Sequence, residues 1–273
     1  MAWNRWIAAG ISAEEREFLV STGFPAAELK PLLKDEKQEF LRAFRSRTGR
    51  DTATPPEPTQ DYDFSNTEFD RPVSFDGFLF TREVSFIWSR FSKDATFDRA
   101  RFFAFADFDW VTFSRTAAFY LATFSGTGSF IHATFEHAVF HSSTFDVGNL
   151  EFAEFNGLAV FSWATFNRLA DFRRATFLSG LIFRNTKFAG STIFSETRFK
   201  NNVPDFRGAT MHEATEWNDS IWPRAPREKD SAQYHVHRYE RLKLEMERLK
   251  KHEDEQRFFR RELRARRALA RPG

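Results

Sequence analysis

Phenylalanine returns along most of this chain on a beat that neither a helix nor a straight strand can carry. From Phe64 it falls at 69, 75, 80, 86, 91, 97, 102, 108, 113, 119 and 124, in alternating steps of five and six residues, and runs on through 130, 135, 140 and 145. It resumes at 155, 161, 166, 172, 177, 183, 188, 194 and 199, then fades through Phe206, Met211, Trp217 and Trp222. On an α-helix, steps of five and six rotate by roughly 140° and 240°, so successive rings would share no seam. An eleven-residue helical coil fails for the same reason, and the Thr, Ser, Gly and Phe between the rungs are poor helix formers. In a strand, a step of five flips the side chain to the other face. A chain that turns a corner between consecutive phenylalanines meets all of these constraints.

A second register supports the corner. Two residues before a Phe sits a small residue, as in Ala95, Ala100, Ala106, Ala117, Ala122, Ala164, Ala170 and Ala175. In extended backbone, residues i−2 and i point the same way. Each alanine therefore enters the interior beside its phenylalanine, and the inward ladder includes Phe97, Phe102, Phe108, Phe113, Phe119, Phe124, Phe166, Phe172, Phe177 and Phe183. Stacking such coils sets Phe on Phe and Ala on Ala, with backbone hydrogen bonds between coils about 4.8 Å apart.

These residues resemble the pentapeptide repeat proteins, whose unit has a small residue at i−2 and Leu or Phe at the centre i. The resemblance covers roughly Phe64 to Trp222. The chain departs from the family's pattern by alternating units of five and six, and by placing Thr at i−1 (the repeated "ATF") where the family often has Asp or Asn. The resemblance implies a right-handed quadrilateral β-helix with four units per coil. With about 30 rungs it would have seven to eight coils and be on the order of 35 Å long. Its open ends would need covers.

The flanks read as helical. "SAEEREFLVSTG" from Ser12 offers an N-cap with acids in the first turn, and "FPAAELKPLLKDEKQEFLRAFRSRTG" carries Leu and Phe at helical spacing. The proline-rich "RDTATPPEPTQ" begins at Arg50, and 51–61 reads as a linker. After "IWPRAP", apolar residues Tyr239, Leu242, Met246 and Leu249, then Phe258, Phe259, Leu263 and Leu269, recur at helical spacing around a "KKHED" interruption. The expected architecture is an all-β solenoid over 62–222, with a helical N-terminal arm or cap over 1–50 and a basic α-helical hairpin over 223–273. One stretch breaks the beat: from 130 to 155, through Leu150, every step is five, and a flatter or bent wall is expected there.

Composition removes several chemistries. No cysteine is present, which excludes disulfides, thiolate metal sites and cysteine nucleophiles. No apolar run reaches the length of a signal h-region or a membrane span, so the expectation is a soluble, cytoplasmic protein. Residues 61–222 carry fifteen basic and twenty acidic side chains, and residues 223–273 carry sixteen and nine. Among 273 residues, Phe numbers 36 and Tyr only 4, so the aromatic excess is of the type without a polar handle, which suits interior shape.

Sites of chemistry are scarce. His132, His137 and His141 are expected on the outside of the irregular coils, and His235 and His237, two apart on a helix, do not face one ligand. Asp107, Asp109, Glu136, Asp146, Glu151, Glu154 and Asp171 are scattered, and a filled rod offers no pocket to raise a catalytic pKa. No phosphate loop, nucleophile elbow or metalloprotease motif occurs. No catalytic, cofactor or metal site is assigned, and no small-molecule substrate. The leading expectation is a non-enzymatic protein-interaction scaffold with an unidentified protein partner, and with homodimerisation through the C-terminal helices. The family resemblance also implies an alternative, a DNA mimic that binds a type II topoisomerase and protects it from inhibitors. A further alternative is the cytoplasmic domain of a membrane sensor or channel. The arginines of "RFFRRELRARRALAR" are read as a solvated, partly Glu-paired helix face, with direct nucleic-acid or membrane contact not expected.

Overall fold

The computed structural model describes residues 2–48, 55, 57–224 and 229–270. Between Tyr62 and Trp222 the chain winds into about seven stacked coils, joined by parallel pairing of short strands. Partners lie one coil apart, as in Arg90 with Thr112 and Arg101 with Thr123, so a full coil takes 22 residues and holds four ladder positions. Four walls result. The first carries Phe86, Phe108, Phe130, Leu150, Phe172 and Phe194; the second Phe91, Phe113, Phe135, Phe155 and Phe177; the third Phe97, Phe119, Phe140, Phe161 and Phe183; the fourth Phe102, Phe124, Phe145, Phe166 and Phe188.

Inside, each wall stacks its rings face to face. Along the third wall, Phe97, Phe119, Phe140 and Phe161 follow one another at 4.8, 4.7 and 4.9 Å between centroids. Opposite walls meet edge to face: Phe108 lies 5.3 Å from Phe97 and 5.6 Å from Phe119, at 90° and 88°. Each ring thus uses its faces within a wall and its edge across the rod, the arrangement that the ring quadrupole favours. Phe97, Phe102, Phe108, Phe113, Phe119, Phe124, Phe166, Phe172, Phe177 and Phe183 are all buried, and so are Ala95, Ala100, Ala106, Ala117, Ala122, Ala164, Ala170 and Ala175. The need for a small residue at i−2 is sharp at Gly128 and Gly148, where a Cβ would stand 2.8 Å from the Phe124 ring and 2.9 Å from the Phe166 ring.

The two kinds of step make two kinds of corner. After the first and third walls the chain takes five residues to the next rung, and the N–H of the residue three beyond the Phe returns to its carbonyl, as from Ala100 to Phe97 and from Ala164 to Phe161. The residue two beyond the Phe has positive φ, at Trp88, Arg99, Trp110, Leu121, His132 and Ser142, and so on at each such corner. This is a type II turn. The other corners take the sixth residue, and a strand can continue through one: Thr112–Ala118 stays 22 residues from its partners in the coil below and shifts register only against Thr134–Val139, whose corner lacks that residue.

Between 130 and 155 that sixth residue is missing twice, from the steps 135–140 and 145–150. The strands Thr134–Val139 and Thr144–Asn149 pass these corners one residue shorter than Thr112–Ala118 and Thr123–Ser129 below them. Coil length accordingly falls to 20 residues between Thr134 and Glu154 before returning to 22 between Glu154 and Thr176. Parallel pairing continues through this stretch, with Leu150 interrupting the ring stack of the first wall; corner glycines come close to the coil below in short and full-length coils alike, Gly157 against the Glu136 carbonyl and Gly190 against that of Arg168.

Helices close both ends. At the N-terminus, α1 (Ala2–Ile7) lies on the first coil, and its buried Asn4 replaces an absent neighbouring strand. The Asn4 amide donates to the Gly77 carbonyl at 2.9 Å and accepts from the Leu79 N–H at 2.9 Å, while the Trp3 indole donates to the Leu79 carbonyl at 3.2 Å. Helix α2 (Ala13–Ser21) opens with a capping box between Ser12 and Glu15, and α3 (Lys34–Thr48) is tied to α1 by the two-pronged pair of Arg5 with Glu36. The stretch expected as a linker falls partly outside the described residues, but Pro55 and Pro58 are buried, so its described part packs against the cap.

At the C-terminus, α4 (Lys229–Arg248) and α5 (His252–Leu269) form a hairpin that turns at Lys250, φ 57°. Phe258 meets Trp217 and Trp222 edge-on at 5.5 and 5.1 Å. Basic side chains then satisfy the carbonyls of the last coil: Arg238 reaches that of Val203, Arg248 that of Met211 at 3.1 Å, Lys251 that of Thr215 at 2.8 Å, and Arg257 that of Trp217 at 2.9 Å. Part of the tail's positive charge is therefore an edge cap, supplying donors that a further coil would have given.

Candidate interaction surfaces

Filling the interior with rings leaves the outward positions and the corners to meet other molecules. At the corner after the first wall, the positive-φ residues of successive coils line up as Trp88, Trp110, His132, Phe152, Arg174 and Glu196. Trp88 stacks on Trp110 at 4.7 Å, Trp110 on His132 at 3.9 Å, and His132 on Phe152 at 4.6 Å. The Arg174 guanidinium lies over Phe152 at 5.2 Å and pairs with Glu196 at 3.0 Å. Backbone bonds fix the column, as in the Trp88 N–H to the Asp109 carbonyl and the Trp110 N–H to the Ile131 carbonyl. The rings remain exposed, Trp88 at 56% and Trp110 at 42%.

This column is costly in two ways. Bulky residues at positive φ are outliers, since glycine or asparagine serves such a turn with less strain. Exposed aromatic rings also forgo the burial that stabilises the interior. At the corner after the third wall, the equivalent positions hold Gly77, Arg99, Leu121, Ser142, Trp163, Asn185 and Gly208, a mixed set without continuous ring stacking. The turn itself therefore does not demand aromatic residues.

The histidines singled out from sequence go to different corners. His132 is a member of the column. The His137 ring accepts from the Leu158 N–H at 3.2 Å, and His141 contacts Ser142 at 2.8 Å. His235 is buried, which depresses its pKa, and His237 meets the Gln233 carbonyl at 2.9 Å. No group of three potential metal ligands occurs among the described residues, and none of their helices is long and apolar enough to cross a membrane.

The acids of the rod are largely part of its turns. Asp63, Asp107, Asp171 and Asp205, each at i−1, accept from the N–H two residues on, at 2.8, 2.9, 3.0 and 3.2 Å. Asp109 accepts from the Ser129 hydroxyl and the Ile131 N–H in the next coil. Burial raises the Asp107 pKa, and the charge of Asp109 adds to that rise. Glu136 and Glu154 stand exposed on the second wall, with no catalytic partner among the described residues, and Asp146 and Glu151 pair with Arg168 and Arg173 at 2.5 and 3.4 Å. The outward face of the first wall is interrupted by Ser85 and Ile87, and again by Ser129 and Ile131. It carries no continuous acidic stripe among the described residues.

One outward acid is buried by the cap. Asp205 on the third wall is fully covered and receives Arg184 and Arg207 at 2.6 and 2.8 Å, with Arg238 at 3.7 Å. Burial pushes its carboxyl up, but the hydrogen bonds from Arg207 and Arg184 outweigh that and hold it at about 2. Comparison with protein-family models, curated proteins and solved structures returns no match.

Proposed function

We propose that this chain is a pentapeptide-repeat protein acting as a non-enzymatic protein-interaction scaffold, with the column Trp88, Trp110, His132 and Phe152 as its main contact surface. One observation carries the reading: large aromatic residues occupy left-handed corners of four successive coils, where the fold accepts glycine, asparagine or serine at equivalent positions. Left-handed corners carry other bulky residues too, such as Leu121 and Trp163, but only in this column do exposed rings stack from coil to coil among the described residues, which argues for a use outside the fold. Rigid aromatic side chains are also the type that dominates binding energy at protein interfaces.

The distribution of acids favours this reading over DNA mimicry. A duplex carries one charge per about 1.7 Å of axis, whereas the carboxylates here are dispersed among turns and several are paired with arginine. Homodimerisation through the hairpin is left out of the proposal, because Tyr239, Leu242, Met246 and Phe258 are buried as part of the C-terminal cap.

The test replaces Trp88 and Trp110 together by asparagine, which tolerates the left-handed backbone. A set of proteins retained by the wild type and lost by a double variant of unchanged melting temperature supports the surface. An unchanged set, or a melting temperature lowered by about 10 °C or more, which signals lost fold stability, assigns the column to structure instead.

A further inference from the structure

We infer that the C-terminal hairpin holds a binding site for a phosphate-bearing small ligand, in a cleft between α4, α5 and the last coil. The cleft has a volume of about 310 Å³ and is lined by Trp222, Pro223, Arg224, Tyr239, Arg261 and Arg264. Its polar groups are donors in want of an acceptor. The buried Tyr239 hydroxyl and the buried Arg261 Nε–H make no well-aligned hydrogen bond among the described residues, and the two groups lie close enough to act on each other as an imperfect pair. Tyr239 is 3% exposed, so water does not compensate, and a poorly paired buried donor is costly.

Three guanidinium groups converge here. Several cations elsewhere on the hairpin are paired: Arg257 with the Trp217 carbonyl and Asp254, Arg266 with Glu262, and Arg248 with Glu245. Among the described residues, Arg224, Arg261 and Arg264 make no ion pair with a carboxylate. A second cleft of about 690 Å³ lies along α5 and shares Arg261 and Arg264, with Arg260 beside them. Burial lowers the Arg261 pKa, Tyr239 works against that fall, and neighbouring Arg264 and Arg257 add to it. Burial raises the Tyr239 hydroxyl to about 12 against the pull of Arg261 and Arg264. An oxyanion with several acceptor lone pairs would satisfy both donors and the excess charge together. A phosphate dianion matches planar guanidinium forks in the way that arginine recognises phosphate generally.

The experiment titrates the full chain with inorganic phosphate and with pyrophosphate by calorimetry, against sodium chloride at equal ionic strength. Saturable binding to one site is expected, together with a rise in melting temperature that follows the ligand concentration. Arg264→Gln, at an exposed position, should weaken binding at least tenfold, whereas Arg115→Gln on the rod should leave it unchanged. Tyr239→Phe should weaken binding several-fold while leaving the ligand-free protein as stable as the wild type or more so, because it removes a poorly paired buried hydroxyl. Heats no greater than those of chloride, or equal affinity in the Arg264 and Arg115 variants, would overturn the site. Binding of duplex DNA that phosphate cannot displace would also overturn it, since it would indicate a diffuse basic surface.

Discussion

The interior of the rod and its first corner both stack aromatic rings coil upon coil, at nearly the same spacing, yet the two stacks have opposite standing. Phe97, Phe119 and Phe140 are closed on every side, with faces along the wall and edges against Phe108 and Phe130. Trp88, Trp110 and His132 share only their faces and turn their edges to solvent, on backbone that suits glycine better. In the first stack, burial selects the residue type. In the second, the fold supplies only a place and a spacing, so residue type is free to answer to something outside the molecule.

The largest test of that contrast is Phe113→Ala, which removes a buried ring between Phe91 and Phe135. It should cost about 3–5 kcal/mol in denaturant unfolding, while Thr112→Ala, at the outward neighbour, should cost below about 0.5 kcal/mol. Similar values at both positions would erase the distinction between inside and outside.

Gly157 lies on the boundary between the two regions, at a corner that comes close to the backbone of the coil below. Gly157→Ala forces a Cβ against the Glu136 carbonyl and should cost about 1–3 kcal/mol, the usual price of overpacking. Gly23→Ala, in open space but at φ 84°, serves as a comparison in which only backbone strain acts.

Asp205 is an outward residue made interior by the cap, and it should give the rod an acid-sensitive end. Its folded pKa of about 2 lies below an unfolded value of about 3.9. The resulting stabilisation, on the order of 2 kcal/mol, is present above about pH 4 and is lost as pH falls towards 2. Asp205→Asn should flatten the stability profile in that window and leave the difference between Phe113→Ala and Thr112→Ala intact. A profile that still falls as steeply would place the acid sensitivity elsewhere.

Much of this was legible in the residues. The alternation of five and six encodes two kinds of corner, and the alanines two places before the rings encode the inward face, because side-chain direction in extended backbone follows from spacing alone. The left-handed corners were hidden. A type II turn is normally betrayed by glycine or asparagine, and here Gly77, Gly208, Asn66 and Asn185 are outnumbered by Trp, Arg, Leu, Ser, Phe and Glu. The column itself left a trace, since Trp88, Trp110 and His132 recur at one coil's length of 22 residues, but that period emerges only once four rungs are known to close a coil. The arginines of the tail posed a different difficulty. Charge pattern alone does not tell Arg248 and Arg257, which cap carbonyls, from Arg261 and Arg264, which line a cleft.

Phe108 and Trp110 lie two residues apart in the same coil, one in the interior stack and one in the exposed column. Equilibrium unfolding of Phe108→Ala and Trp110→Asn, measured side by side, therefore addresses the central claim directly. A loss of about 3–5 kcal/mol for the first and less than about 1 kcal/mol for the second is the expected result. A loss at Trp110 equal to that at Phe108 would contradict it, by showing that the corner column holds the rod together and is not free for recognition.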